Sequence, residues 1–308
     1  MEVAVLGYET SFEKRILPPD AAVVQVSTGA TWGEGPVWVP AERAVLWSDI
    51  PGNRILRYDA TTGESSVHRA DAEFTNGRTL DLDGTVIQCS HGRRAIESET
   101  GGIVTVLADS FNGVRLNSPN DVVVKSDGSI WFTDPPYGIV QAHEGHLGDR
   151  EYGDNFVFRF DRATHTMTPV IIDMEEPNGL AFSPDESLLY VSDTSTALRT
   201  DGTGNHHIRV YDVVDGTCKN GRFFATVEHG FVDGLRVDAA GHVWSSSATG
   251  IVVFAPDGVE IEQIPVPETV GNLCFGGVDG TDLYIAAGTS LYRIRTLVTD
   301  SARHGVIA

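Results

Sequence analysis

The chain has 308 residues, 41% of them hydrophobic, which is long enough to bury a sizeable core. Its formal net charge of −21 at pH 7 argues against binding to nucleic acids and to anionic membrane surfaces. Three cysteines without a CxxC motif predict neither a disulfide framework nor a zinc–thiolate site. The lack of a basic leader or an apolar run of about 18 residues favours a cytoplasmic protein.

Six similar units follow one another along the chain, each with at least three short apolar segments separated by turns. They begin at Glu34, Asn76, Asn120, Asn178, Asp233 and Asn272. A repeat of this length with several strands per unit is typical of a β-propeller. The longer repeats contain insertions, chiefly at residues 138–154 and 195–206. We therefore predict an all-β, six-bladed β-propeller in which residues 1–308 form a single domain.

The two ends of the chain indicate how the ring closes. The sixth unit stops after three strands, because residues 299–308 contain no convincing fourth one. An apolar segment at residues 22–26, before the first unit, has no place within that unit. We predict that this N-terminal strand completes the last blade, which would leave no open seam between the first and last blades.

Four of the six units begin with similar short strings, each of which places a side-chain oxygen before a strand-like run. The motifs are Glu34-Gly35, Asn120-Asp121, Asn178-Gly179 and Asp233-Gly234. Alone, an Asn-Gly or Asp-Gly pair indicates a turn. In a propeller, however, the tips of the innermost strands meet at the central channel, and carboxylates brought together there need a cation to neutralise them. A set of oxygen ligands without cysteine or histidine favours Ca²⁺, Mg²⁺ or Mn²⁺ over structural zinc.

Other polar residues allow two interpretations. Asp49 and Asp193 end the second strands of their units and are interpreted as turn caps. Asp134 ends the corresponding strand before the rigid Pro135-Pro136-Tyr137 segment and is predicted to form a pocket wall. His91 follows the second strand of unit two and is either a solvated loop residue or a substrate contact. Motifs of serine hydrolases, phosphate-binding loops and zinc proteases do not occur.

Three long strings resemble the gluconolactonase family, which also includes regucalcin and, more distantly, diisopropylfluorophosphatase. They are LNSPND at residues 116–121, WFTDPPYG at 131–138 and PNGLAFSPDE at 177–186. The resemblance extends from about Gly33 to Arg295 and is strongest to the bacterial gluconolactonases. It implies a six-bladed propeller with one catalytic divalent cation in the central channel.

The resemblance also implies roles for individual residues. Glu34, Asn178 and Asp233 would bind the cation, Asn120 would be a fourth ligand or a substrate contact, and Asp233 would also accept a proton. The residues predicted to contact substrate are Asn76, His91, Ser118, Asn120, Asp134 and Tyr137. Ser118 stands where regucalcin-like members have an arginine that contacts the sugar acid, which predicts a preference for neutral lactones.

The sequence thus predicts a metal-dependent lactonase that opens a sugar lactone, gluconolactone or a related aldonolactone, to its hydroxy acid. Its cofactor would be one divalent cation, Ca²⁺ first, with Mg²⁺, Mn²⁺ or Zn²⁺ as alternatives. Its partner would be a small lactone, with neither nucleic acid nor membrane involved. Two other hypotheses remain: a hydrolase of other lactones or phosphotriesters at the same site, and a non-catalytic binding propeller.

Overall fold

A computed structural model describes residues 15–302 of the chain. Strand β1 (Val24–Thr28) comes first and belongs to the sixth blade. Blade one consists of β2 (Gly33–Val39), β3 (Ala44–Asp49), β4 (Arg54–Asp59) and β5 (Ser65–Ala70). Blade two consists of β6 (Thr75–Leu80), β7 (Val86–Ser90), β8 (Ala95–Thr100) and β9 (Ile103–Ala108). The hairpin of β10 (Ser110–Phe111) and β11 (Val114–Arg115) follows.

The remaining four blades have the same organisation. Blade three consists of β12 (Val122–Val124), β13 (Ile130–Asp134), β14 (Phe156–Asp161) and β15 (Thr166–Ile171). Blade four consists of β16 (Pro177–Phe182), β17 (Leu188–Asp193), β18 (His207–Val214) and β19 (Thr217–Thr226). Blade five consists of β20 (Leu235–Val237), β21 (Val243–Ser247), β22 (Gly250–Phe254) and β23 (Glu260–Pro265). Blade six consists of β24 (Val270–Gly276), β25 (Asp282–Ala287), β26 (Ser290–Arg295) and the N-terminal β1.

The ring closes as the sequence predicts, although the closing strand begins two residues later than expected. β1 pairs antiparallel with β26, with Val24 opposite Arg293 and Thr28 opposite Ser290. The innermost strands of neighbouring blades contact one another around the ring, including β24 of the last blade and β2 of the first. The predicted six-bladed propeller and its closure by an N-terminal strand are therefore confirmed.

Apolar side chains fill the spaces between neighbouring blades. In three interfaces an aromatic residue on a second strand packs against an aromatic residue on the first strand of the next blade. The pairs are Trp131 with Phe182 at 5.3 Å, Trp244 with Phe275 at 5.5 Å, and Tyr284 with Trp38 at 5.7 Å between ring centroids. Such pairs stabilise an interface by about 1 kcal/mol each beyond burial alone. The blades are thus held by repeated sheet-to-sheet packing, and the innermost strands remain free to line a channel.

Helical structure between residues 15 and 302 is limited to short turns, one of them a 3₁₀ turn at Pro40–Glu42 between β2 and β3 and the others in the insertions. The segment after β13 forms a single turn, α1 (Tyr137–Val140), and the segment after β17 contains a short 3₁₀ turn at Ser195–Leu198. None of the helices between residues 15 and 302 is long and apolar enough to cross a membrane. Cys89, Cys218 and Cys274 are all free thiols, as the sequence predicts.

Candidate metal centre and lactone site

Each blade places one oxygen-bearing side chain at the same end of the central channel. The six residues are Glu34, Asn76, Asn120, Asn178, Asp233 and Asn272. Five of them are buried, while Asp233 is partly exposed at the mouth of the channel. Two carboxylates and four amides thus occupy equivalent positions of the six innermost strands. The structure places the four predicted ligands in this ring and adds Asn76 and Asn272.

Four of the six ring residues lie at irregularities of the innermost strands, while Asn120 and Asp233 lie two residues before β12 and β20. Strand pairing shifts between Glu34 and Val37 in β2 and between Pro177 and Leu180 in β16. A similar shift brackets Asn76 in β6, and β24 shifts just before Asn272. A local bulge redirects a side chain away from the plane of the sheet. Here it turns the polar side chain toward the channel.

The glycines that follow Glu34, Asn178 and Asp233 are required because the next blade comes very close. A Cβ atom on Gly35, which has a φ of +47°, would lie 2.0 Å from the backbone oxygen of Asn76. On Gly179 it would lie 2.3 Å from the oxygen of Asp233, and on Gly234 it would lie 2.2 Å from Cγ of Asn272. Only glycine fits at such contacts. The pairs Glu34-Gly35, Asn178-Gly179 and Asp233-Gly234 therefore indicate close backbone packing around a channel.

Hydroxyl groups on the second strands connect the blades just outside this ring. Ser48 Oγ donates to the backbone oxygens of Thr75 and Asn76, at 2.5 and 3.0 Å. Thr133 Oγ1 donates to the oxygen of Asn178 at 2.6 Å, and Ser192 Oγ donates to that of Asp233 at 2.9 Å. Each bond runs from one blade to the backbone of the next, at the ring residue or at the residue before it. The bonds thereby fix the backbone that carries the polar side chain.

Glu34 and Asp233 form the electrostatic centre of the ring. Burial, followed by the charge of Asp233, raises the pKa of Glu34 well above its usual range, despite a 2.9 Å hydrogen bond from the Gly35 backbone N–H. Burial and the charge of Glu144 raise the pKa of Asp233 to about 7, against hydrogen bonds to Glu34 and Asn178. Glu34 Oε1 is buried without a hydrogen-bond partner among the described residues.

A divalent cation fits this arrangement. Two close carboxylates repel each other when both are ionised, and an unpartnered buried carboxylate oxygen is costly. Carboxylate and amide oxygens are the ligands that Ca²⁺, Mg²⁺ and Mn²⁺ prefer. Between residues 15 and 302 no cluster of three or more His, Cys, Asp or Glu side chains could hold a metal. Any centre here would therefore need amide ligands beside Glu34 and Asp233.

A chain of hydrogen bonds orients the amide of Asn178. Its Nδ2 donates to Thr194 Oγ1 at 3.0 Å, and that oxygen is 2.6 Å from the hydroxyl of Tyr137. Tyr137 is buried on helix α1. The predicted substrate contact Tyr137 is thus tied to the predicted ligand Asn178 through Thr194.

A second chain joins Asn76 to the loop after α1. His91 Nδ1 is 3.0 Å from the backbone oxygen of Glu144, and His91 Nε2 is 3.3 Å from Asn76 Nδ2. Burial lowers the pKa of His91 to about 4, so its imidazole is neutral. The carbonyl can only accept, so Nδ1 carries the proton and Nε2 accepts from the amide. His91 therefore fixes the orientation of Asn76, whose buried Oδ1 has no partner among the described residues.

Ser118 and Asp134 hold the loop that supports this wall. Ser118 is fully buried, and its Oγ donates to the Pro135 oxygen at 2.7 Å and accepts from the Gly138 N–H at 2.9 Å. Asp134 Oδ2 accepts from the Asn117 N–H at 2.8 Å and from the Tyr152 hydroxyl at 2.9 Å. Burial raises the pKa of Asp134 to about 7. The substrate contacts of both residues remain predictions, because their described contacts are within the protein.

The interpretation of Asp49 and Asp193 as turn caps agrees with their contacts. Asp49 Oδ1 accepts from the Thr31 N–H at 2.8 Å, and Asp193 accepts from the N–H groups of Glu175 and Glu176 at 2.9 and 3.1 Å. Each carboxylate thus caps the segment that leads into the first strand of its own blade. Asp49 and Asp193 thus support the strands that carry the polar residues of the channel, but they are not among those six residues.

A buried ion pair lies next to the ring. Arg236 Nη1 donates to Asp121 Oδ2 at 3.2 Å and to the Leu235 backbone oxygen at 2.7 Å. The charge of Asp121 acts on both Glu34 and Asp233 and adds to the rise in their pKa values. A cavity of about 170 Å³ lies beyond this pair, at the other end of the innermost strands, beside Val124, Phe182 and Arg236.

The sequence reasoning missed two residues of the site. Asn272 begins the sixth unit at the same phase as the predicted ligands, and its amide lowers the pKa of the Glu34 carboxyl. Its position in the repeat could therefore have identified it. Glu144 lies in an insertion, and its charge acts strongly on Asp233. No motif or periodicity marks it, because the insertion falls outside the repeat.

Comparison with known proteins identifies the family of this chain. Residues 32–289 match the family described as SMP-30/Gluconolactonase/LRE-like region. The chain belongs to this family. A gluconolactonase from Zymomonas mobilis is 30% identical over 96% of the chain and 88% of its own length. A pentonolactonase from Haloferax volcanii is 31% identical over 84% of the chain and 82% of its own length.

Solved structures show the same fold. A gluconolactonase from Xanthomonas campestris superposes with a TM-score of 0.84 and 37% identity, over 92% of this chain and 94% of its own. A calcium-binding regucalcin from Agrobacterium tumefaciens has a TM-score of 0.73 at 18% identity, over 91% of this chain and 95% of its own, which supports the fold alone. The predicted family is confirmed, and with it the prediction of an enzyme, since the relatives are lactone hydrolases.

Proposed function

We propose that this protein is a divalent-cation-dependent lactonase acting on a neutral sugar lactone, gluconolactone or a pentonolactone. The observation that carries this proposal is the pair formed by buried Glu34 and partly exposed Asp233, in which Glu34 Oε1 has no partner among the described residues. The names of the relatives support the reaction class. A merely structural propeller would not need two such carboxylates at a channel mouth.

Glu34, Asn178 and Asp233 would hold the cation, with Asn120 as a further ligand or a substrate contact. When bound, the cation would polarise the lactone carbonyl and stabilise the negative charge that develops on its oxygen. Asn178 is oriented for this role by Thr194 and Tyr137. The regucalcin relatives are consistent with Ca²⁺ as the first candidate.

Asp233 is the residue that would move the proton. It is the partly exposed member of the ring, so it can reach a water molecule at the channel mouth. Its carboxylate would accept the proton of the attacking water as the oxygen bonds to the lactone carbonyl carbon. The C–O bond of the ring would then break, and the leaving alkoxide would take up the proton held by Asp233, which gives the hydroxy acid and restores the carboxylate.

The testing experiment combines chelation with calorimetry. Protein stripped of metal should hydrolyse neither gluconolactone nor a pentonolactone, and addition of Ca²⁺, Mg²⁺, Mn²⁺ or Zn²⁺ should restore hydrolysis. Calorimetric titration of the stripped protein should show one cation per chain, and Glu34→Gln should weaken that binding. Full activity in protein verified to be free of metal would refute the mechanism.

We also propose a cytoplasmic location, which fractionation of the native cells would test.

A further inference from the structure

The side chain of Thr194 lies between a predicted cation ligand and helix α1. Its Oγ1 accepts from Asn178 Nδ2 at 3.0 Å and is 2.6 Å from the hydroxyl of Tyr137. Thr194 is fully buried, and Tyr137 is 4% exposed. Because both side chains are buried, their hydroxyl groups bond to each other and to the protein backbone, and the chain of hydrogen bonds ends on the amide of Asn178.

The backbone oxygen of Thr194 sets the direction of the protons along this chain. A carbonyl can only accept, and this one accepts from the Ala197 N–H at 2.9 Å and from the Tyr137 hydroxyl at 3.2 Å. Tyr137 has one hydroxyl proton, so its oxygen accepts the proton of the Thr194 hydroxyl. Thr194 Oγ1 in turn accepts from Asn178 Nδ2. The amide oxygen of Asn178, on the other side of the amide group, is therefore left for a ligand in the channel.

Asn272 has the equivalent position in blade six but uses its amide in the opposite way. Its Oδ1 accepts from the Leu273 N–H at 2.8 Å, so a protein group already binds this oxygen. The same oxygen lies in a crowded contact, since a Cβ atom on Gly234 would be 2.2 Å from it. Two asparagines at the same phase of the repeat thus differ in the end of the amide that is free. Hydrogen bonding decides which of them can be an oxygen ligand.

We infer that Thr194 and Tyr137 are positioning residues of the cation site, which turn Asn178 Oδ1 toward the cation and the NH₂ group away from it. This inference rests on the proposed function, and it gives Tyr137, predicted to contact substrate, a role behind the ligand. Without the Thr194 hydroxyl, the amide can rotate by half a turn and present its N–H groups, which repel a cation. Groups that orient a metal ligand typically contribute about 10–100-fold to metal affinity.

The experiment measures the Ca²⁺ affinity of metal-stripped protein by calorimetry, independently of hydrolysis. Thr194→Val keeps the shape of the side chain and removes the hydroxyl, and we expect it to weaken Ca²⁺ binding about tenfold or more. Thr194→Ser keeps the hydroxyl and should restore most of this affinity. Thr226→Val is the matched control on the outer strand β19, where the hydroxyl donates to the His206 backbone oxygen at 3.2 Å. It should leave the Ca²⁺ affinity unchanged.

A second background tests the orientation of the ligand itself. Asn178→Asp replaces the amide by a carboxylate, whose two oxygens are equivalent, so rotation cannot withdraw the ligand atom. Thr194→Val combined with Asn178→Asp should therefore bind Ca²⁺ within about twofold of Asn178→Asp alone. Tyr137→Phe should weaken Ca²⁺ binding when Asn178 is present. Combining it with Thr194→Val should add no further loss, because the two hydroxyl groups act in one chain.

The outcomes separate this inference from the proposed function. Equal losses of affinity with Asn178 and with Asn178→Asp, in variants whose melting temperatures show that they are folded, would overturn the positioning role, because general damage does not depend on the symmetry of the ligand. If Thr194→Val does not fold, Tyr137→Phe in the two backgrounds makes the same test. Wild-type protein that binds no cation would refute the proposed function and this inference together. Cation binding that is indifferent to Thr194 and Tyr137 would overturn this inference alone.

Discussion

Two clusters of buried charge lie next to each other in the central channel, and they are built in opposite ways. Asp121 is paired with the guanidinium of Arg236 at 3.2 Å and accepts from the Val122 N–H at 2.9 Å. Glu34 and Asp233 face each other, and their pKa values are raised. The first cluster is neutralised by a protein cation, whereas the second has none and is the one for which we propose a bound divalent cation. The difference distinguishes a charge pair that stabilises the fold from a proposed functional site.

Breaking the paired cluster should have the largest effect. Arg236→Met leaves Asp121 as an uncompensated buried charge, and removing one partner of a buried pair costs about 3–5 kcal/mol of unfolding free energy. Denaturant unfolding would measure the loss. The double variant Arg236→Met with Asp121→Asn should recover part of it, because no charge is then stranded. Equal losses in the single and double variants would contradict the pairing.

In the unpaired cluster, Asp233→Asn should damage turnover more than folding. We expect kcat for gluconolactone to fall on the order of 10²-fold, because the proposed proton acceptor is lost. The assay is run at saturating cation, with occupancy checked by calorimetry, so that weaker binding does not imitate a loss of chemistry. Near-normal kcat with the cation bound would make Asp233 a ligand only.

Glu34→Gln should lower the affinity for the cation while raising the stability of the cation-free protein. Loss of one charged ligand should weaken cation affinity about tenfold or more, as ligand charge sets affinity at oxygen sites. In chelator, the same variant should melt at a higher temperature than wild type, because repulsion with Asp233 is removed. A lower melting temperature in chelator would show that Glu34 is already satisfied by the protein.

Asp134 provides an intermediate case, a buried carboxyl held mainly by neutral donors. Its folded pKa of about 7 lies above the usual unfolded value of about 4. Its protonated form therefore favours folding fully below about pH 4, and this contribution is lost as pH rises through about 7. Asp134→Asn should flatten the decline in melting temperature between about pH 4 and pH 7, compared with wild type. An unchanged dependence of melting temperature on pH would show that a group other than Asp134 titrates in this range.

The repeat made the fold predictable, and the insertions limited the prediction of the site. Each unit supplies the same pattern of apolar strands, so blade number, closure and the phase of Glu34, Asn120, Asn178 and Asp233 follow from spacing. The pairing of Asp121 with Arg236 joins positions 115 residues apart in different blades, and spacing alone does not reveal it. Glu144 was missed for another reason, since its position depends on contacts of an irregular loop with His91.

Ring closure by β1 and β26 has a consequence for the synthesis of the chain on the ribosome. The strand at Val24–Thr28 is made long before its partner at Ser290–Arg295. At bacterial or eukaryotic elongation rates the early strand must wait roughly 15–50 s before its partner exists. During that interval β1 and the growing outer edge of the sheet array have unsatisfied backbone groups. When several ribosomes make this chain close together, β1 can therefore pair with strands of neighbouring chains. This risk ends only when the sixth blade is complete.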